Sequence, residues 1–288
     1  MSVTLWLTRF PLIWAWRKKR IHTIGRAVDH MLCLLPFEVA HYSAHGIGAT
    51  YVGHPLADQI PLDPPAAPAR SSLQISPDTT VIGLLPGSRS GEVKRLAPLF
   101  LKAAQQLCER RENLHFLLPC ASAAVRQLVE SFIKELPGRL SITVLDGQSH
   151  TVMAASDTLL LASGTAALEG MLHKKPMVVG YRLNALTHWL VRRMATGRWC
   201  SLPNILAQQE LVPELLQKRA TVENMVQAVL ASLTVTKESR STKQTFYRLH
   251  KELRCSANSR AADTVLKVLA ESEKKRRGGC LSRQATLE

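Results

Sequence analysis

Aromatic side chains are scarce, at 5% of 288 residues, leaving little material for the stacking surfaces on which single-stranded nucleic acids rest. The six cysteines, at positions 33, 108, 120, 200, 255 and 280, stand far apart and none belongs to a CxxC pair. That spacing suggests neither a zinc site nor a disulfide framework, and the simplest compartment is a reducing cytoplasm. Long apolar runs are missing too: Met1 to Trp16 is apolar but is broken by Arg9 and Pro11, and no small-residue cleavage pattern follows it. Neither a transmembrane helix nor a secretion signal is therefore expected. There is no fixed-period repeat, no metal motif, and no Walker lysine after the glycines. Acidic residues are also in deficit, 22 against 37 Lys+Arg, so the net charge is +15 and the partners should carry negative charge.

What is present is a regular alternation of short β-rich runs with amphipathic helical stretches, the pattern of βα units wound around a parallel sheet. Buried strands are predicted at Thr80–Leu85, Leu114–Pro119, Ser141–Leu145, Thr158–Leu161 and Met177–Gly180. Helices are predicted between them at 96–111, 123–136, 150–155, 165–173 and 185–196; in the first, Leu96, Leu99, Phe100, Ala103 and Leu107 recur at helical spacing. After Pro213 the texture becomes helix alone, which reads as a helical C-terminal cap over an α/β fold. Upstream, 17–27 and 37–45 read as helices and 30–36 and 49–54 as strands, too few elements to close a core. The run Pro61-Leu62-Asp63-Pro64-Pro65-Ala66-Ala67-Pro68 reads as an extended linker. The expected domains are thus a remnant at 1–60, a main α/β domain with its cap at 61–273, and a basic flexible tail at 274–288.

Two turns carry the chemistry. In Leu84-Leu85-Pro86-Gly87-Ser88-Arg89-Ser90-Gly91-Glu92, Gly87 lets a ligand approach the backbone, Ser88 offers a hydroxyl, and Arg89 offers a planar fork for phosphate oxygens. The alternative is a surface turn with a solvated arginine. In Ala162-Ser163-Gly164-Thr165-Ala166-Ala167-Leu168-Glu169, a strand opens into a helix whose free N–H groups and positive dipole end suit an anion, with Ser163 and Thr165 adding hydroxyls. Glu169 lies one turn further on the face of Thr165, where its carboxylate could accept from two ribose hydroxyls. The alternative is that Ser163 caps the helix and Glu169 is solvated. Taken together at one sheet edge, the two turns read as a nucleotide diphosphate site.

Further candidates are weaker. Asn204 could place its amide into the crevice, or could merely form a turn after Pro203. His54 could meet a substrate phosphate or make a structural hydrogen bond. Trp14-Ala15-Trp16 with Arg17-Lys18-Lys19-Arg20 could meet an acidic membrane face, or form core tryptophans beside a solvated helix face. Arg182, Arg192, Arg193 and Arg198 could serve an anionic acceptor or only solubility.

Several stretches, in order, resemble the lipid-A-disaccharide synthase family: Trp14-Ala15-Trp16-Arg17, Leu34-Leu35-Pro36-Phe37-Glu38, Gly53-His54-Pro55-Leu56-Ala57-Asp58, Leu84 to Glu92, Leu161 to Glu169, Pro176 to Arg182, and Ser201-Leu202-Pro203-Asn204. The resemblance runs from about Trp14 to Ala270. It implies a two-domain glycosyltransferase of the GT-B type with two Rossmann-like halves, the C-terminal one binding the donor nucleotide. It further implies an inverting transfer, independent of metal or cofactor, of 2,3-diacylglucosamine from UDP to 2,3-diacylglucosamine 1-phosphate, peripheral on the cytoplasmic face of the Gram-negative inner membrane. The family's nucleotide contacts carry over to Gly87, Ser88, Arg89, Ser163, Gly164, Thr165, Glu169 and Asn204.

Family members carry roughly a domain's worth of chain, ~150 residues, before the Trp-Ala-Trp motif, including a glycine-rich acceptor loop and an aspartate taken as general base. This sequence has no such stretch, and Met1 to Ile13 differs from the family upstream of Trp14. A truncated gene, frameshift or alternative start is the expectation, with little activity for the chain alone, no catalytic residue within it, and a separately encoded N-terminal half or a homo-oligomer as partner. Rival readings are a residual UDP-sugar-binding module and a basic nucleic-acid-associated protein; against the latter, the positive residues are scattered and match no reader motif.

Overall fold

The computed structural model describes the backbone of residues 5–7, 20–182 and 198–284, and the side chains of 21–182 and 198–274. In chain order the elements are β1 (Leu5–Leu7), α1 (Arg20–Ala27), β2 (His30–Cys33), α2 (Glu38–Ser43), β3 (Gly48–Tyr51), α3 (Pro55–Gln59), α4 (Ala66–Ser72), β4 (Thr80–Leu85), α5 (Ser90–Arg110), β5 (Leu114–Cys120), α6 (Ala123–Lys134) and β6 (Ile142–Asp146). They continue with α7 (Ser149–Ala155), β7 (Thr158–Ala162), α8 (Thr165–Leu172), β8 (Met177–Tyr181), α9 (Leu202–Ala207), β9 (Glu214–Leu216), α10 (Val222–Ser232), α11 (Lys237–Leu253) and α12 (Ala257–Gln284). Among the described residues the chain forms two units, one of residues up to Gln59 together with those from Lys251 onward, the other from Ile60 to His250.

The second unit is a six-stranded parallel sheet in the order β6-β5-β4-β7-β8-β9. Its strands are apolar on both sides because helices cover both faces, as a parallel sheet requires. Ile82 and Leu84 of β4 and Phe116 and Leu118 of β5 point into one core, with Val93, Leu96, Phe100 and Leu107 of α5 and Met225, Val226 and Val229 of α10. Val81 and Leu117 point the other way, against Val152 and Ala155 of α7. The chain enters at β4, winds outward to β5 and β6, then returns to place β7 on the other side of β4. That reversal opens a crevice between the carboxyl ends of β4 and β7, the place where ligands of such sheets bind.

Several expectations need correction. The supposed linker is helical from Ala66, and Arg70 pins it to the sheet by donating to the carbonyls of Ala155, Pro77 and Thr79 and pairing with Asp157 at 2.7 Å. Periodicity around four prolines could not reveal a partner 87 positions away. The helix predicted from Leu96 begins at Ser90, because the stripe it buries starts at Val93. The region after Pro213 is not helix alone: Glu214–Leu216 adds the edge strand β9 against β8. Residues 274–284 continue α12 as helix instead of forming a flexible tail, since Lys, Arg and Leu are good helix formers. The helix expected at 185–196 lies outside the described residues.

The N-terminal region, expected to hold too few elements to close a core, has a buried cluster of its own. β1, β2 and β3 form a parallel sheet, and Ile21, Met31, Cys33, Tyr42 and Ile47 form its own buried cluster. The segment from Lys251 belongs to this unit, not to the cap. The Tyr51 hydroxyl donates to the Glu252 carbonyl at 2.8 Å, and Asp58 accepts from the N–H groups of Ser256 and Ala257 at 2.9 and 2.6 Å. Asp58 thereby caps the start of α12 with a carboxylate brought from 199 positions upstream, satisfying donors that the helix itself cannot. Gly53 joins the same contact: its φ is +90°, and a Cβ there would lie 2.6 Å from the Cys255 Cβ.

Removing that cap should cost about 1 kcal/mol. The expected result for Asp58→Ala is a lower urea midpoint for the first unit with faster amide exchange in the first turn of α12. Unchanged exchange at Ser256 and Ala257 would show that the cap contributes nothing.

Candidate functional site

Because β4 and β7 are parallel neighbours, in register with Leu85 opposite Leu161, the turns that follow them emerge side by side at one sheet edge. This is the arrangement that the two sequence motifs require. Gly87 has φ +124°, and a Cβ there would collide with the Glu92 carboxylate, so only glycine suits the position. Glu92 folds back onto the Ser88 N–H; burial raises its pKa, while that hydrogen bond and the charges of Arg89 and Arg95 oppose the rise. Ser88 and Arg89 are exposed, Arg89 standing at the N-cap of α5 without bonding it through its side chain.

At the second turn Gly164 is the N-cap of α8, and no side chain caps the helix. Among the described residues a Cβ on Gly164 would meet nothing within 4 Å, so none of them fills the space beside the helix start. Thr165 is exposed beside it. Ser163 differs from expectation: its hydroxyl donates to the Cys200 carbonyl at 3.1 Å. A hydroxyl has one proton, so in this arrangement Ser163 has its backbone N–H to offer an anion and its side chain holds the neighbouring loop. Glu169 is largely covered, 16% exposed, and burial raises its pKa against the opposing influence of His150. Its Oε2 lies 3.9 Å from His150 Nε2.

Asn204 requires the main correction. It is buried and every hydrogen-bonding position of its amide is engaged within the protein. Nδ2 donates to the Val212 carbonyl and to Glu214 Oε1, each at 2.9 Å, and Oδ1 accepts from the N–H groups of Leu211 at 2.7 Å and Val212 at 3.0 Å. Asn204 thus fastens the loop that leads into β9 and does not enter the crevice. Glu214, which had no recognisable motif, is the centre of this arrangement. It accepts also from Cys200 N–H at Oε2 (2.9 Å) and from the Ser201 N–H and hydroxyl at Oε1 (2.9 and 2.7 Å), so both oxygens of the buried carboxylate are hydrogen-bonded.

Sequence reasoning missed three other residues at this edge, Tyr181, Arg95 and His150. Tyr181 ends β8 close to Arg89, Arg95 and Glu92, and burial is the first cause of its raised pKa. Arg95 Nε donates to the Arg182 carbonyl at 3.3 Å. His150 follows the turn after β6, where Gly147 and Gln148 both have positive φ. A Gly followed by polar residues after a strand was the one available signal for that turn. His54 makes the structural bond, accepting at Nδ1 from the Leu56 N–H at 3.2 Å. Arg198 lies over the Trp199 ring, 5.5 Å from its centroid. Arg192, Arg193, the Trp14-Ala15-Trp16 motif and the side chains of 17–20 lie outside the described residues. Among the described residues no His, Cys, Asp and Glu cluster could hold a metal, and no helix is long and apolar enough to cross a membrane.

Residues 9–265 match the model of a protein family described as lipid-A-disaccharide synthetase. The chain is 49% identical over 263 residues to the lipid-A-disaccharide synthase of Pseudomonas putida strain W619, covering 91% of this chain and 68% of that one. It is 44% identical over 259 residues to the corresponding protein of Alcanivorax borkumensis, covering 90% and 67%. Its fold is similar to the crystal structure of UDP-GlcNAc 2-epimerase from Neisseria meningitidis bound to UDP-GlcNAc, with TM-score 0.60, 12% identity, and 92% of this chain and 69% of that one covered. It is also similar to WaaG, a glycosyltransferase involved in lipopolysaccharide biosynthesis, with TM-score 0.53, 12% identity, and coverage of 91% and 75%.

Two outcomes follow from the polar contacts. Asn204→Ala should destabilise the second unit by several kcal/mol, because it strands Glu214 and two N–H groups, and should speed proteolysis within 208–213. A variant as stable as the parent would remove this role. The second concerns acid. Burial lowers the pKa of His173 from 6.5 to about 4, so the folded state stays neutral where the unfolded state takes up a proton. Its contribution is full above pH 6.5 and is lost as pH falls toward 4, at no more than about 1.4 kcal/mol per pH unit. His173→Gln should flatten the fall in urea midpoint over that range; an unaltered slope would assign the loss to other groups.

Proposed function

The chain belongs to the lipid-A-disaccharide synthase family, glycosyltransferases of lipid A biosynthesis, and from that premise we propose that the crevice between β4 and β7 holds the UDP of the sugar donor. The observation that carries the reading is the side-by-side emergence of the Gly87-Ser88-Arg89 and Ser163-Gly164-Thr165 turns at one edge of the sheet. The diphosphate rests on the uncapped start of α8, on the backbone N–H groups around Gly164 and Thr165. Ser88 and Arg89 face it from the first turn, and Arg89 supplies a charge-assisted, bidentate contact. Glu169 accepts from the ribose. Asn204 is left out of this assignment, and the Ser163 hydroxyl acts through the loop it holds.

In the reaction implied by the family, 2,3-diacylglucosamine passes from UDP to the 6-hydroxyl of 2,3-diacylglucosamine 1-phosphate. The bond from the anomeric carbon to the diphosphate oxygen breaks as the acceptor oxygen bonds to that carbon, and the acceptor hydroxyl loses its proton. Negative charge then grows on the departing diphosphate. In this reading Arg89 and the positive end of α8 stabilise it, as a charge and fixed dipoles that need little reorganisation. The acylated substrates and a net charge of +15 support a peripheral seat on an acidic membrane surface.

Calorimetry with UDP tests the site. Arg89→Ala and Glu169→Gln should each weaken binding about tenfold or more, the worth of one hydrogen bond to a charged group. Affinities equal to the parent's in both variants would refute the assignment.

A further inference from the structure

Beside Glu169 stands a group that the nucleotide motifs do not contain. His150, half exposed at 49%, lies on the second residue of α7, and its Nε2 is 3.9 Å from Glu169 Oε2. That separation is too long for a direct hydrogen bond. Yet the ring is not loose, since its Nδ1 is 3.4 Å from Nε2 of His173.

The protonation pattern of the pair follows from the environment of His173. This side chain is buried, and its Nδ1 has no partner among the described residues. A buried N–H without an acceptor is rarer and costlier than a buried lone pair without a donor, so the proton of neutral His173 sits on Nε2. Burial keeps His173 neutral, with His150, Lys175, Lys174 and His250 acting in the same direction. His173 Nε2–H therefore donates to His150 Nδ1, which must accept, and the proton of His150 is placed on Nε2. The network thus assigns an N–H donor to the atom that faces the carboxylate.

A donor and a carboxylate 3.9 Å apart match a ligand hydroxyl better than they match each other. An oxygen between them, with two hydrogen bonds of about 2.8 Å meeting at roughly 90°, accepts from His150 and donates to Glu169. A hydroxyl does both, and on a nucleotide the ribose supplies two. We propose that His150 is a further nucleotide-binding residue, which with Glu169 clasps one ribose hydroxyl of the donor, and that His173 is the positioning residue that sets its tautomer. The proposal rests on the placing of UDP in the crevice between β4 and β7. It adds a specificity element: the pair selects a ribonucleotide over its deoxy counterpart.

The experiment measures calorimetric affinities of UDP, 2′-deoxy-UDP and 3′-deoxy-UDP for the full chain and for His150→Ala, Glu169→Gln and Arg89→Ala. The parent should prefer UDP to one of the two analogues by about tenfold, and His150→Ala should weaken UDP by a similar factor while losing most of that preference. His150→Gln, which keeps an N–H donor, should recover part of it. If Glu169→Gln and Arg89→Ala weaken UDP while His150→Ala leaves affinity and preference as in the parent, this assignment is overturned and the nucleotide site stands. If no variant alters UDP binding, the nucleotide site itself is refuted and the clasp with it. Should His150→Ala fail to fold, the parent decides: its ring ¹⁵N spectrum should show His150 protonated at Nε2 and shifted by UDP, and a proton on Nδ1 or an unmoved resonance would overturn the proposal.

Discussion

The pairing of β4 with β7 is the constraint on which the rest of the second unit depends. Their hydrogen bonds join Ile82–Leu85 to Thr158–Leu161, segments separated by two complete βα units. Closing so long a loop is entropically costly, and the buried apolar contacts on both faces of the sheet offset that cost. Once the two strands lie together, the chain must leave in opposite directions, β5 to one side and β8 to the other. The segments that follow β4 and β7 therefore diverge, and such a divergence leaves a gap at the carboxyl edge. The crevice is a consequence of topology, and the residues lining it are those that happen to follow the two strands.

A buried carboxylate organises one wall of this region. Glu214 is held by donors from Cys200, Ser201 and Asn204, and the Ser163 hydroxyl ties the same loop to the start of α8. Such a group is tolerated in the interior only because both its oxygens find donors, and it imposes one geometry on the loop as a result. The polar network therefore bears on the proposed site only indirectly. It sets the shape of the turn from which backbone N–H groups reach outward.

The first unit follows another logic. A three-stranded sheet with a small cluster around Met31 and Tyr42 has little apolar surface to bury, and it gains support from residues at the far end of the sequence. Asp58 at the head of α12 and the Tyr51 hydroxyl on Glu252 are contacts of this kind. The left-handed Gly53 lets the two segments approach.

The residues alone were enough to determine the alternation of strands and helices, the strand Thr80–Leu85 to the residue, and the two glycine turns that follow strands. These are local properties, set by side-chain periodicity and by the conformational freedom of glycine, and they survive in any context. Only the tertiary structure decided that Asn204 is fully occupied by Leu211, Val212 and Glu214, that Arg70 docks the proline-rich segment, that the segment from Lys251 joins the N-terminal unit, and that His150 stands beside Glu169. Each of these is a pairing across distance in sequence. Hydrogen bonds and burial act on proximity in space, and a string of residue types does not carry that until the sheet has closed.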